Sequence, residues 1–218
     1  MKRVMTLGML AFVLGAAAAG AQTTPAAAPS AQAGDDVWTI DPNHSAAHFA
    51  VRHMMVSTVR GSLGSVKGTV RWDGKAAKSA QVDATIDVTG INTANQKRDD
   101  HLRSPDFFDA ATHPAITFKS KRVEPAADGR FKLVGDLTIR GNTREVALDV
   151  EGPAAPIKQK DGRLRSGASA TGKISRKEFG IVWNNLTETG GAIVGDEVQM
   201  TIDVELIKPA PTTSSSGQ

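Results

Sequence analysis

Residues 97–118 gather most of the side chains able to do chemistry: Arg98, Asp99, Asp100 and His101, then Ser104, Asp106 and His113, around the adjacent Phe107 and Phe108. Arg98 and His101 could sit at the mouth of a binding site and hold a phosphate or carboxylate, because a cationic fork suits oxyanions. Arg98 and Asp99 could instead pair with nearby backbone and side chains, and this structural role is the preferred one. Asp99, His101 and Ser104 have the residue types of a hydrolytic triad, but adjacency in sequence is poor evidence for that geometry. The chain has no Gly-x-Ser-x-Gly elbow, no phosphate-cradling glycine loop and no cysteine nucleophile. The expectation is a protein without enzymatic activity and without a cofactor.

Metal binding is also disfavoured. In a strand His44 and His48 would share a face, while His48 and His53 would point apart. No histidine spacing matches a ligand pair on one helical face, and no acidic residue completes a familiar ligand set.

These side chains are set in a chain that otherwise alternates like β-sheet. Val82, Ala84, Ile86 and Val88 fall on one face, as do Val198, Met200, Ile202, Val204 and Leu206, opposite Gln199, Thr201, Asp203 and Glu205. Half-buried antiparallel strands read this way, whereas buried parallel strands would be continuously apolar. Further strands are expected at 38–40, 46–53, 59–72, 115–123, 131–140, 145–150, 164–174 and 179–183. Turns are expected at Arg140-Gly141-Asn142-Thr143 and at Asp128-Gly129. Glycines 61, 64, 68, 135, 167 and 172 suit bulges or sharp bends. Only short helices fit: Asn95 to Leu102, a turn opened by Ser104-Pro105-Asp106 running through Phe107-Phe108, and a turn over Ser175 to Glu178. Many antiparallel strands in one domain point to a sandwich or closed barrel, with closure favoured because it removes exposed edges.

The ends carry different signals. Lys2 and Arg3 precede an apolar run from Val4 to Ala19, and Ala19-Gly20-Ala21 resembles a cleavage site before Gln22. The run falls short of the ~20 residues that span a bilayer. Residues 1–21 are therefore expected to be a signal peptide, placing the protein in the periplasm or outside the cell. Residues 22–35 read as an Ala/Pro-rich spacer, 36–208 as one domain and 209–218 as a disordered tail. The formal charge of +3 includes Lys2 and Arg3, and no run of five like charges occurs, so nucleic-acid binding has weak support and is not expected. Cysteine is absent, which closes off disulfide and thiol chemistry.

The order and spacing of several blocks resemble the YceI-like family of bacterial polyisoprenoid-binding proteins. The blocks are Trp38-Thr-Ile-Asp41, His44-Ser45, Phe49-Ala-Val-Arg-His53 and Met54-Met-Val-Ser-Thr-Val-Arg-Gly61. They continue with Arg98-Asp99, His101-Leu102, Phe107-Phe108-Asp109, His113-Pro114 and Ile116-Thr-Phe118. Gly135-Asp-Leu-Thr-Ile139, Ile174-Ser-Arg176, Phe179-Gly180-Ile181, Gly190-Gly191 and Val194-Gly-Asp-Glu-Val198 complete the match over Trp38 to Leu206. The resemblance implies an all-β fold: an extended, antiparallel, lipocalin-like β-barrel with short helical insertions covering one opening. It also implies a periplasmic or secreted protein holding a polyisoprenoid in an apolar interior, with room for a homodimer and for transient membrane contact during lipid exchange. Leu63 departs from the pattern, which has an aromatic there, and so bears on cavity width.

Side-chain patterning alone leaves two outcomes open. Small inward residues opposite a few aromatics could leave a tunnel or interlock as a filled core, and patterning favours the filled core where the resemblance favours the tunnel. If a tunnel exists, the expected lining is Phe49, Val51, Val59, Leu63, Ile86, Phe107, Phe108, Phe118, Leu137, Ile139, Ile174, Phe179, Ile181 and Trp183. His44, Arg98, Asp99 and His101 are the expected structural or mouth residues. Hydrocarbon burial of ~0.8 kcal/mol per methylene makes one isoprene unit worth roughly 4 kcal/mol gross. A hydrogen bond adds about 0.5–1.5 kcal/mol net, so the tail would dominate affinity and the head group would orient it. The functional expectation is an exported carrier, store or sequestering protein for a quinone or prenyl-phosphate type lipid. The alternative is a periplasmic stress-response or scaffold protein acting through protein contacts with a packed, empty interior. A lipid hydrolase is the least favoured third reading.

Overall fold

The computed structural model describes residues 36–126, 130–186 and 190–210. The expected signal peptide, the spacer, the Asp128-Gly129 turn and residues 211–218 of the expected tail lie outside the described residues.

Among the described residues, eleven strands form one antiparallel sheet: β1 (Val37–Ile40), β2 (Ala46–His53), β3 (Ser57–Ser62), β4 (Val66–Arg71), β5 (Gln81–Asp87), β6 (Ala115–Pro125), β7 (Phe131–Ile139), β8 (Asn142–Glu151), β9 (Ile157–Lys158), β10 (Leu164–Ser175) and β11 (Val194–Lys208). The sheet closes because β11 has two partnered edges. One edge pairs with β10 from Leu164↔Lys208 to Ser175↔Glu197; the other takes β2 and then β1. The result is a closed eight-stranded barrel, with β1 and β2 sharing one staves' position and β3 and β4 another.

The 59–72 segment, read from its alternation as one strand, breaks at residues 63–65. There the backbone N–H of Leu63 donates to Ala47 O (2.9 Å) and that of Gly64 to Asp87 O (2.7 Å), so the chain changes partner from β2 to β5. Gly68 lies in the left-handed half of the map (φ 149°), where a Cβ would meet Asp83 O at 2.2 Å; no other residue fits. The weakest join of the wall is β8 to β10, registered only over Ser169↔Glu151, Ala170↔Val150 and Thr171↔Asp149. Above it, side chains take over: Asn142 Nδ2 donates to Phe179 O and Arg140 Nη1 to Gly180 O, each at 3.1 Å.

Residues 179–183, expected as a strand, are not one. A 3-10 turn (Arg176–Phe179) ends at Gly180, which takes a left-handed conformation (φ 76°), and an irregular loop follows. The carbonyls of Ile181 and Trp183 accept from the Arg176 guanidinium (2.8 and 2.7 Å), so no neighbouring strand is needed to satisfy them. The turn expected to start at Ser104 is present: Ser104 Oγ accepts from the Asp106 N–H (3.3 Å) and Ser104 O from the Phe107 N–H (3.0 Å). The same hydroxyl donates to His101 O (2.8 Å), so Ser104 also closes the C-terminus of helix α1 (Gln96–Arg103). The N-terminus of α1 is as expected: Asn95 accepts from the Arg98 backbone N–H at 3.1 Å.

Two apolar clusters occupy the interior. The lower is built on Trp38 and Trp72, both almost fully buried, whose rings lie 5.3 Å apart. Trp38 Nε1 donates to Trp72 O at 3.1 Å, which joins β1 to the residue after β4 and plugs this end. Burying each indole contributes about 4–6 kcal/mol of gross transfer free energy. The upper cluster includes Phe107, Phe118, Leu137, Phe179 and Ile181, beneath α1 and the segment that follows it. At the same end the β2–β3 turn places Met54 and Met55 in left-handed conformations (φ 51° and 59°). For side-chain-bearing residues that conformation costs about 1–2 kcal/mol apiece.

Candidate functional site: an apolar cavity under a helical cover

Between the clusters lies a cavity of about 280 Å³, lined by inward side chains from every wall of the barrel. It is at the lower edge of the roughly 300–1,000 Å³ typical of small-molecule sites. Twelve of the expected lining residues border it: Phe49, Val51, Val59, Leu63, Ile86, Phe107, Phe108, Phe118, Leu137, Ile139, Ile174 and Ile181. Phe179 and Trp183 do not. Phe179 is fully buried in the wall packing, and Trp183 sits outside the cavity against His101 and Phe107. The β11 face of Met200, Ile202, Val204 and Leu206 also lines the space. Its alternation was readable, but alternation alone does not separate a cavity wall from a packed face.

Glycine shapes one wall. A Cβ on Gly61 would lie 2.7 Å from Phe49 Cε1 and from Thr93 Cγ2, so Gly61 lets the Phe49 ring lie flat against β3. Leu63, in the position where an aromatic was expected, borders the cavity from the same side.

The cover is fastened by polar contacts at its base. Arg98 Nε donates to Thr93 Oγ1 (2.7 Å) and Nη2 to Thr93 O (2.8 Å). Buried Asp99 accepts the Thr93 backbone N–H at 2.8 Å and also the Thr93 hydroxyl. Asp99 therefore holds the segment and is not at the mouth, whereas Arg98 both holds it and borders the cavity. The His101 ring is held edge-on between Phe107 (5.0 Å) and Trp183 (4.8 Å), with Nε2 2.9 Å from Asp106 Oδ2. The residue types of a triad do not converge: Asp99 serves Thr93, Ser104 serves a backbone carbonyl, and His101 partners Asp106.

Arg176, 4% exposed, is a buried cation near this end, where Arg98 is only half-buried. It donates to Gly195 O (2.9 Å), Ile181 O, Trp183 O and Val194 O (3.3 Å), and reaches Asp196 Oδ1 at 3.2 Å. Burial lowers its pKa and Asp196 opposes that shift. An arginine keeps its charge regardless. Sequence reading named it only within a family block; a buried arginine meeting four carbonyls has no local sequence signal.

His44 lies elsewhere. Exposed, it precedes β2, with Nδ1 2.8 Å from Asp41 Oδ2, and borders an outer groove shared with Arg165, Ser169, Asp203 and Glu205. The hydrogen bond from His44, then that from the Asn43 backbone N–H, holds the Asp41 carboxyl below its usual pKa. Spacing showed no acid completing a set around His44, yet folding brings Asp41 and Glu205 to it, with ligand atoms within 4.8 Å of one another. Arg165 already bridges those two carboxylates, at 3.2 Å from Asp41 and in closer contact with Glu205. It supplies the positive charge that a metal would bring.

Comparison with known proteins follows the same outline. A UPF0312 protein of Staphylococcus aureus is 38% identical over 168 residues, covering 77% of this chain and 95% of that protein. The crystal structure of a Campylobacter jejuni YceI protein superposes with a TM-score of 0.61 at 33% identity, over 72% of this chain and 90% of that one. A polyisoprenoid binding domain from Saccharophagus degradans shares the fold (TM-score 0.57) at 14% identity, over 79% of this chain and 98% of that one. Residues 38–206, nearly the whole barrel with its cover, match the YceI-like domain, and the chain belongs to that family.

Proposed function

We propose that this protein holds a polyisoprenoid-type lipid, with a quinone or prenyl-phosphate head, in the barrel cavity for transport, storage or sequestration outside the cytoplasm. The observation that carries this reading is the space itself, walled mainly by aliphatic and aromatic side chains and plugged at the tryptophan end. An apolar cavity of this kind offers a hydrocarbon chain dispersion contacts on every side. Water would find no partners there. The polyisoprenoid-binding neighbour of the same fold supports the ligand class. Arg98 borders the space but commits Nε and Nη2 to Thr93, so the affinity in this reading comes from the tail.

Native mass spectrometry together with organic extraction of the purified protein tests the reading. A prenyl lipid recovered at near one per chain is the expected result. A barrel that neither carries such a lipid from its host nor takes one up in excess would overturn it.

A further inference from the structure

Among the described residues, large apolar side chains are exposed at Met54 (44%), Met55 (54%), Val56 (79%), Val182 (65%), Leu186 (71%) and Ile157 (65%). All but Ile157 belong to two loops that the backbone ties together. The Met54 N–H donates to Ile193 O (2.7 Å), the Ile193 N–H to Asn185 O (3.0 Å), and Leu186 bridges Ala192. Met55 Cε lies 3.3 Å from where a Cβ on Gly195 would stand. Both loops continue the cavity wall: Val51 and His53 lead into the Met54–Val56 turn, and Ile181 and Val194 flank the second loop.

Ordinary turn chemistry does not account for these side chains. Two left-handed positions in succession favour Asn or Gly, and here they carry methionine, with valine next. Arg52 nevertheless braces this turn, donating to Met55 O and to Thr58 Oγ1 (3.1 Å). The charge on the hairpin itself has one sign, and the acids beside it on β11, Asp196 and Glu197, are paired with Arg176, Lys177 and Lys173. No Asp or Glu occurs between Asp41 and Asp73, whereas Arg52 and Arg60 lie exposed on the hairpin, and Arg60 has no ion-pair partner among the described residues. The described residues of loop 180–193 are uncharged; Glu188 lies outside them.

We propose that this tip docks on the surface of an anionic lipid bilayer, inserting Met54, Met55, Val56, Val182 and Leu186 among the headgroups. The inference rests on the lipid-holding reading for its purpose, since the docked edge is contiguous with the cavity wall. An apolar wedge backed by cations is the form that interfacial anchors take. Five side chains are few beside the ~20–30 residues per side of a stable protein interface.

The chain has no cysteine, so Val56→Cys gives a single labelling site for the polarity-sensitive dye NBD. Lys78→Cys, exposed at the tryptophan end, is the control. With phosphatidylcholine vesicles containing about one quarter phosphatidylglycerol, the label at 56 is expected to shift to the blue and brighten. The response should weaken on neutral vesicles and in high salt, and the label at 78 should stay unchanged. Met54→Ser with Met55→Ser should reduce vesicle association of the labelled chain about tenfold, and Arg60→Gln should reduce its salt dependence. A silent label at 56, or equal shifts at 56 and 78, overturns the proposal. A shift that follows protein concentration without vesicles also overturns it, assigning the tip to a second copy of the chain. Lipid extraction from the same samples separates the two readings: a loaded barrel with a silent tip sinks docking alone, and an empty barrel with an inserting tip sinks the cavity reading alone.

Discussion

Asp99 accepts both the backbone N–H and the hydroxyl of Thr93, so one carboxylate on the first turn of α1 fixes the strand-to-helix corner on which the cavity cover hangs. Arg98, the preceding residue, grips the same threonine from the other side through its carbonyl and hydroxyl oxygens. Charge-assisted bonds to a buried carboxylate are the strong ones, and removing one partner strands the others. Asp99→Ala is therefore expected to cost roughly 2–4 kcal/mol. At ~2–4 °C per kcal/mol, thermal melting should show that loss. Arg98→Ala should lower the melting temperature before it alters lipid retention. Unchanged melting with lost retention would reassign Arg98 to the head group.

Acid should weaken the wall at Asp41. Its pKa lies below that of the unfolded chain, so the native state binds fewer protons between the two values. The stabilisation is complete above the usual carboxylate pKa of about 3.9 and is lost as pH falls through the lower native value. Urea midpoints compared at neutral pH and near pH 3 should fall less steeply for Asp41→Asn than for the parent. Equal slopes for the two chains would show that the His44 and Arg165 contacts of Asp41 carry no net stability.

Cavity width should be adjustable from β3 and from the break that follows it. Leu63→Phe projects a larger group into the space, and each displaced methylene of a bound tail costs ~0.8 kcal/mol, or roughly fourfold in affinity. Long prenyl chains should weaken more than short ones in a competition series read by mass spectrometry. Gly61→Ala acts through its neighbour: the new Cβ would meet Phe49 and Thr93 at 2.7 Å, driving the ring into the cavity or the cover off its corner. A series in which chain length makes no difference would place the tail elsewhere.

How much of this was legible depends on whether the determinant is local. The period-two pattern of Val198 to Leu206 and the short helix expected over Asn95 to Leu102 are local, and β11 and α1 stand there, α1 one residue on with Asn95 as its cap. The false strand at 179–183 arose because apolar residues flank Gly180; what decides that segment is Arg176, whose carbonyl partners extend to Gly195. The His44 cluster is likewise invisible in spacing, since Glu205 is remote in sequence and arrives only when β11 closes the barrel. Hollow against filled was beyond patterning for a different reason. Alternation says which side chains face inward and nothing about whether opposite walls meet.

Arg176 should be the residue on which the mouth of the barrel depends most. Its removal leaves the carbonyls of Ile181, Trp183 and Gly195 without the donor that joins the 3-10 turn to the start of β11, while Val194 O keeps Asn184 Nδ2. Each buried acceptor left unpaired costs about 1–3 kcal/mol, although loop relaxation and water entry will offset part of the sum. Arg176→Lys is not a rescue, because an ammonium cannot span the positions that a planar fork reaches. The expected outcome is local: amides of residues 181–194 exchange faster in Arg176→Lys, while those of β6 and β7 keep their protection. Lipid should also escape sooner, because Trp183, which braces His101 and Phe107 of the cover, is held by this loop. Uniform loss of protection across the barrel would show instead that Arg176 stabilises the whole fold and that the mouth has no separate cooperativity.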